Sequence, residues 1–313
     1  MNNVFLFQGQ GSQLVGMGKE LYDYYPLVRE VYDQANETLG EDITSIIFNG
    51  PKEILDLTEH TQPALMLHSI SILKLIEHLA GKKINQFCSY LAGHSLGEYS
   101  AICAARVINI ETTLKLLKLR GKSMQNAAPI GSGAMAALLG VEYEYAQEIT
   151  NLASKFGICE IANDNCNGQI VISGQNSAID QAITIAKEMG KKAIKLDVSA
   201  PFHCSMMSPA QEVMSKALEK VEFTAPLVPL VANVSAEPTK DPEQIKRMLI
   251  EQVSSQVKWR QSILNLVSMG ANDMYEIGTG KVLVGLNKRI DSNINSYVLN
   301  NPETIENFVK SIT

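Results

Sequence analysis

Between Tyr90 and Ala105 the chain runs from a short apolar stretch, through Gly93-His94-Ser95-Leu96-Gly97, into a helix-compatible run. Strand, Gly-x-Ser-x-Gly and helix in that order describe a nucleophile elbow. A turn that tight forces a strained backbone at Ser95, and a glycine on either side lets other backbone pass close. The hydroxyl is then held out at the mouth of a sheet. The helix behind it offers unpaired N–H groups and the positive end of its dipole. Among these, the N–H of Leu96 is placed to stabilise an oxyanion as it forms. An ordinary tight turn with a chance serine is the competing reading, because the motif is short.

The surrounding chain suits such a site. Its 313 residues allow a large core in one or two domains, and 45 % apolar with 19 % charged residues is a globular composition. A net charge of −6 argues against general nucleic-acid binding, and no uncharged apolar run approaches membrane-spanning length. Five cysteines, none in a C-x-x-C pair, and no signal-like N-terminus predict a reducing, cytoplasmic setting without disulfides or a zinc site.

Strands and helices alternate along most of the chain. Val4–Phe7 reads as a strand running into Gln8-Gly9-Gln10-Gly11-Ser12-Gln13, a tight glycine turn that lacks the lysine of a phosphate loop. Helices are predicted over Leu21–Leu39, Gln62–Leu79 and Ile110–Ala127. His60, His68 and His78, in or near the second of these, read as packed or surface histidines. After the Pro129–Gly133 break, strands at Ala134–Leu139, Cys159–Ala162, Gln169–Ser173 and Ala193–Asp197 enclose two helices in β-α-β-β-α-β order. The fold class predicted is α/β: a hydrolase-like parallel-sheet core, residues 1–128 and 199–313, with a ferredoxin-like small domain inserted at 129–198. Beyond the insert, strands are expected at Leu227–Asn233, Asp273–Ile277 and Tyr297–Leu299.

A serine hydroxyl needs a base to take its proton. His203, in a loop after the insert, is the only histidine beyond Ser95. An α/β-hydrolase would place its histidine near the chain end. Here about a third of the chain follows His203, so that layout fits poorly.

Several motifs resemble those of a known family: Gln8–Gln13, Gly93–Glu98, Arg120-Gly121-Lys122, Gly133–Ala136, Asn165 with Gly168–Gly174, Pro201-Phe202-His203 and Gly278–Leu283. Together they are similar to the malonyl-CoA:acyl carrier protein transacylases of type II fatty-acid synthesis, and the likeness runs nearly end to end. The resemblance implies Ser95 as the acylated nucleophile, His203 as its base, and the main-chain N–H groups of Gln10 and Leu96 as the oxyanion hole. It implies Arg120 as the partner of the malonyl carboxylate, and Gln252 as the residue whose main-chain carbonyl orients the histidine. Malonyl-CoA and acyl carrier protein are the implied partners of a monomer that needs no metal or redox cofactor. A serine thioesterase or esterase, and an acyltransferase serving a polyketide synthase, are the alternatives. No Asp or Glu stands out as a third triad member, so a Ser–His dyad is expected. Lys187, Lys191 and Lys192 form one candidate patch for an acidic carrier protein. Four places depart from the family pattern: Gln8, Gln256, Cys166-Asn167 and Thr279.

Overall fold

The computed structural model describes residues 2–129, 131–198 and 200–313. Ile130 and Ser199, at the two junctions of the predicted insert, lie outside the described residues. The first sheet has six strands: β1 (Asn3–Phe7), β2 (Tyr90–Gly93), β7 (Leu230–Val231), β8 (Pro238–Thr239), β9 (Asp273–Ile277) and β10 (Asn295–Leu299). Their spatial order is β10-β9-β1-β2-β7-β8, parallel except for the β7–β8 pair.

Strand β1 is apolar throughout because it is covered on both sides. Phe5 and Phe7 pack with the helices Pro26–Leu39, Thr58–Ala80, Ile110–Asn126 and Pro302–Ile312. Val4 and Leu6 point the other way, among Trp259, Ile263, Leu283 and Ile290. The two-residue alternation of a strand places each set. Register then fixes the site. Phe7 pairs with Gly93 on one side and Ile277 on the other, so β1, β2 and β9 end level. Their following loops converge on one edge, where α/β sheets hold their ligands.

The second sheet is antiparallel: β3 (Gly133–Leu139), β4 (Cys159–Cys166), β5 (Gln169–Gln175) and β6 (Lys192–Lys195), in the order β4-β5-β3-β6. Ala136, Leu138, Ile170 and Ile172 face the helices Tyr143–Ala153 and Asn176–Glu188, which cover one side. Met135, Ala137 and Val171 face back toward the core. The second sheet is also stitched through main chain to the loop before the helix Trp259–Ser268. Val257 donates its N–H to Ala162 at 2.8 Å and accepts that of Asp164 at 3.0 Å, a parallel bridge beside β4. Arg260 adds an ion pair to Asp164 at 3.0 Å.

Three expectations need correction. The helical stretch expected over Leu21–Leu39 is two helices, Lys19–Tyr24 and Pro26–Leu39; the second starts at Pro26, a proline that suits a first turn, and Tyr25 is extended ahead of it. The strand expected over Leu227–Asn233 pairs only at Leu230–Val231. Pro226 and Pro229 have no N–H to give a ladder, and the Asn233 side chain is drawn out to the elbow. The short strand β8 was not expected at all.

Candidate active site

The elbow is built by close approach. A Cβ on Gly93 would lie 1.9 Å from the carbonyl oxygen of Gly97, and one on Gly97 2.2 Å from that of Phe7. Only glycine fits at either place. Ser95 is thereby held at φ 54°, in the left-handed region, ahead of the helix Gly97–Ala104. His203 sits at φ 58°, a second strained residue in the same site. Its Nε2 lies 2.7 Å from Ser95 Oγ.

The other imidazole nitrogen faces main chain. His203 Nδ1 lies 3.1 Å from the carbonyl oxygen of Gln252 and 3.2 Å from that of Ser255. With Nδ1 facing two acceptors, its proton is held there and Nε2 is free to accept from serine. Burial, then the Arg120 guanidinium and the neighbouring His94 ring, draw the His203 pKa down to about 3, so the ring is neutral at neutral pH. Asp197 and Glu276 make no contact with it. The Glu276 carboxylate is buried elsewhere, accepting from Gln8 Nε2 at 2.5 Å and the Val284 N–H at 2.8 Å.

Arg120 reaches the site from the helix Ile110–Asn126. A Cβ on the next residue, Gly121, would stand 2.4 Å from the carbonyl oxygen of Thr58. That glycine lets the helix close on Thr58–Ala80 and brings Arg120 against Gln62. Arg120 Nη1 donates to Gln62 Oε1 at 2.8 Å. Nη2 donates to Gln252 Oε1 at 2.8 Å and to Ser95 Oγ at 3.3 Å. The guanidinium also lies over the Tyr99 ring, 5.5 Å from its centroid.

Four further side chains support these, and of the four residues only Gln252 carried a role in the sequence, for its main-chain carbonyl. Asn233 clamps the elbow from both ends: its Oδ1 accepts the Ser95 N–H at 2.8 Å and its Nδ2 donates to the Gly93 carbonyl at 2.7 Å. Gln252 works through its side chain as well as its carbonyl, Nε2 donating to the Ser95 carbonyl and to Glu98 Oε2, each at 2.8 Å. Gln62 and Ser255 complete the set. A polar residue ending an apolar central strand, as Asn233 does, was the one signal available for any of them. His94, in the elbow itself, ties it to β4, Nε2 lying 2.8 Å from Asn165 Oδ1.

Ser95, His203, Arg120, Gln10 and Leu96 all line one cleft of about 600 Å³ between the two sheets. Among the described residues, no protein acceptor takes the main-chain N–H of Gln10 or of Leu96. The departures lie around this cleft. Gln8 is buried and its amide bonds Glu276 and the Thr279 carbonyl, linking the loop after β1 to the turn after β9. Asn167 bonds the Ile290 carbonyl, and Gln256 the Tyr143 hydroxyl. The Gln8, Asn167 and Gln256 side chains each make a hydrogen bond of their own. Of the expected lysine patch, Lys191 bonds the Gly140 carbonyl and lies over Tyr145.

Among the described residues, no helix is long and apolar enough to cross a membrane. Residues 4–289 match the family described as acyl transferase domain. The malonyl CoA-acyl carrier protein transacylase of Bacillus subtilis is 41 % identical over 310 residues, covering 98 % of this chain and 96 % of that one. Its namesake in Escherichia coli K12 is 38 % identical over 302 residues, covering 96 % of each. The solved acyl-carrier-protein S-malonyltransferase of Bartonella henselae superposes with a TM-score of 0.97 at 44 % identity, over 100 % of this chain and 99 % of that one. A malonyl-transacylase solved in complex with its type II PKS acyl-carrier protein gives 0.95 at 35 % identity, over 99 % and 100 %.

Proposed function

This chain belongs to the malonyl CoA-acyl carrier protein transacylases, the acyltransferases that move malonyl between coenzyme A and carrier protein, and from that premise we propose which of its residues do the work. Ser95 attacks the malonyl thioester while His203 Nε2 takes its proton. Negative charge developing on the carbonyl oxygen is received by the N–H groups of Gln10 and Leu96. Coenzyme A leaves as thiol with the proton returned by His203, and malonyl stays on Ser95 as an ester. The phosphopantetheine thiol of the carrier protein then enters and the steps reverse, a ping-pong exchange that uses no metal or redox cofactor.

Arg120 receives the malonyl carboxylate. A planar guanidinium bonds both oxygens of a carboxylate and stays charged when buried. The substrate's charge also offsets that of Arg120, which otherwise holds His203 down, so loading makes the histidine a stronger base. We read residues 129–198 as a ferredoxin-like insert, supported by the strand order β4-β5-β3-β6, whose open face walls the cleft.

One observation carries this reading. The serine hydroxyl stands 2.7 Å from a neutral imidazole nitrogen and 3.3 Å from a buried guanidinium nitrogen, so nucleophile, base and carboxylate anchor meet at one atom. The test is intact mass after mixing with malonyl-CoA and no acceptor. One malonyl adduct is expected, on the peptide holding Ser95, and none in Ser95→Ala. An adduct elsewhere refutes the assignment. Release of free malonate as fast as the ester forms would favour a hydrolase instead.

A further inference from the structure

Arg120 is 1 % exposed, yet among the described residues no carboxylate forms a direct ion pair with it. Its hydrogen bonds to side-chain amides go to oxygens of the neutral Gln62 and Gln252. One buried carboxylate stands behind them. Glu98, 0 % exposed on the helix after the elbow, accepts from Gln252 Nε2 at 2.8 Å and from the Asn233 N–H at 3.0 Å, both at Oε2. Its Oε1 is buried with no hydrogen-bond partner. The amide of Gln252 therefore bridges the two charges. Its N–H end must face the carboxylate, which only accepts, and its oxygen is left to face the guanidinium.

We propose that Glu98 is the resident counter-charge of Arg120, relayed through the Gln252 amide, and that it takes up a proton when the acyl carboxylate pairs with Arg120. This rests on the reading of Arg120 as the carboxylate anchor. Two buried anions cannot share one cation without cost, so the one held at a distance yields. The proton comes from solvent and goes to Oε1, the oxygen that bonds nothing, while Oε2 goes on accepting from Gln252 and Asn233. Burial already pushes the Glu98 carboxyl up to about 7, against the pull of Asn233, Gln252 and Arg120, so it is poised to change state. The groups facing it are Arg120 from the helix Ile110–Asn126 and Tyr99 from its own helix. The Asn233 loop and the Gln252 turn bring neutral amides. Burial raises the Tyr99 hydroxyl far above neutrality, and it lowers both His203 and His94, so none of these competes near pH 7.

The experiment uses Ser95→Ala, which binds without transferring. Malonyl-CoA and acetyl-CoA are titrated by calorimetry at pH 7 in buffers of different ionisation heat, and the slope reads protons exchanged. Malonyl-CoA should draw about half a proton more than acetyl-CoA, the unfilled share of a group with a pKa near 7. The acetyl arm cancels whatever coenzyme A itself contributes. Adding Glu98→Gln, whose amide oxygen keeps the acceptor for Gln252 and Asn233, should abolish the difference. Equal uptake with the two esters, or a difference that survives Glu98→Gln, overturns the proposal. Should that double variant not fold, the comparison of esters in Ser95→Ala decides alone. If malonyl-CoA binds no tighter than acetyl-CoA, the reading of Arg120 fails, and this proposal with it.

Discussion

Ser95 and His203 are 108 residues apart in sequence and 2.7 Å apart at their reacting atoms, and both hold a left-handed backbone. Among the described residues, no carboxylate bonds either side chain. The imidazole Nδ1 faces the carbonyls of Gln252 and Ser255, which supports the proposed dyad. Replacing His203 with Ala should slow acylation of Ser95 by about 10²–10⁴-fold, the usual share of a general base. Glu160→Gln and Asp197→Asn, two acids that line clefts beside His203, should stay within a few-fold. Rapid-quench measurement of acyl-enzyme formation reads both. A loss of orders of magnitude in either acid variant would reveal a hidden third member.

Arg120 should set the choice of acyl group. Breaking a buried charged pair costs roughly 3–5 kcal/mol, or two to three powers of ten in rate if felt fully in the transition state. Arg120→Ala should lose malonyl transfer by that factor while acetyl transfer holds or rises. Arg120→Lys should recover only part, because the bidentate geometry is gone. The ratio of kcat/KM for the two donors is the measurement. An equal fall in both means a structural arginine.

Asn233→Leu should loosen the elbow. It leaves the Ser95 N–H and the Gly93 carbonyl without their side-chain partner, at about 1–3 kcal/mol for each buried group left unpaired. Unfolding in urea should show the loss of stability, and kcat should fall more than KM rises. Asn233→Asp keeps the acceptor for Ser95 and should lie between. A variant with wild-type kcat would show that the strained serine holds its place unaided.

His68 supplies a pH dependence away from the site. Burial draws its pKa down to about 4 from the ordinary 6.5. The unfolded chain therefore binds a proton between pH 6.5 and 4 that the folded chain does not. Stability from this group is full above pH 6.5 and is lost as pH falls toward 4, by about 2 kcal/mol at pH 5. Urea unfolding at pH 7.5 and pH 5 should show a drop that shrinks by about that amount in His68→Leu. An unchanged drop would assign the acid sensitivity elsewhere.

What was legible in the sequence was local. Glycines flanking Ser95, an apolar run before it and a helix after it announce the elbow within one short stretch. Gly81 closes its helix as expected, in the left-handed conformation a C-cap requires. The placement of Arg120 beside Ser95 depends on Gly121 meeting Thr58 across two helices, which no spacing along the chain announces. Asn233 was read as part of a strand because the residues before it are apolar, yet its side chain bonds groups about 140 positions away. Glu98 looked like one more helical residue. Its meaning depends on Gln252, a residue known beforehand only for its main chain.

The bridge at Val257 has a bearing on how a large donor and a large acceptor use one site. Val257 grips Ala162 and Asp164 by main-chain bonds, and its neighbour Ser255 holds the imidazole. Swinging the insert away would tear that ladder and pull on the base in the same motion. Main chain thus braces the slot between the sheets at the same place where it holds the base, so the width of the slot and the position of the imidazole are coupled.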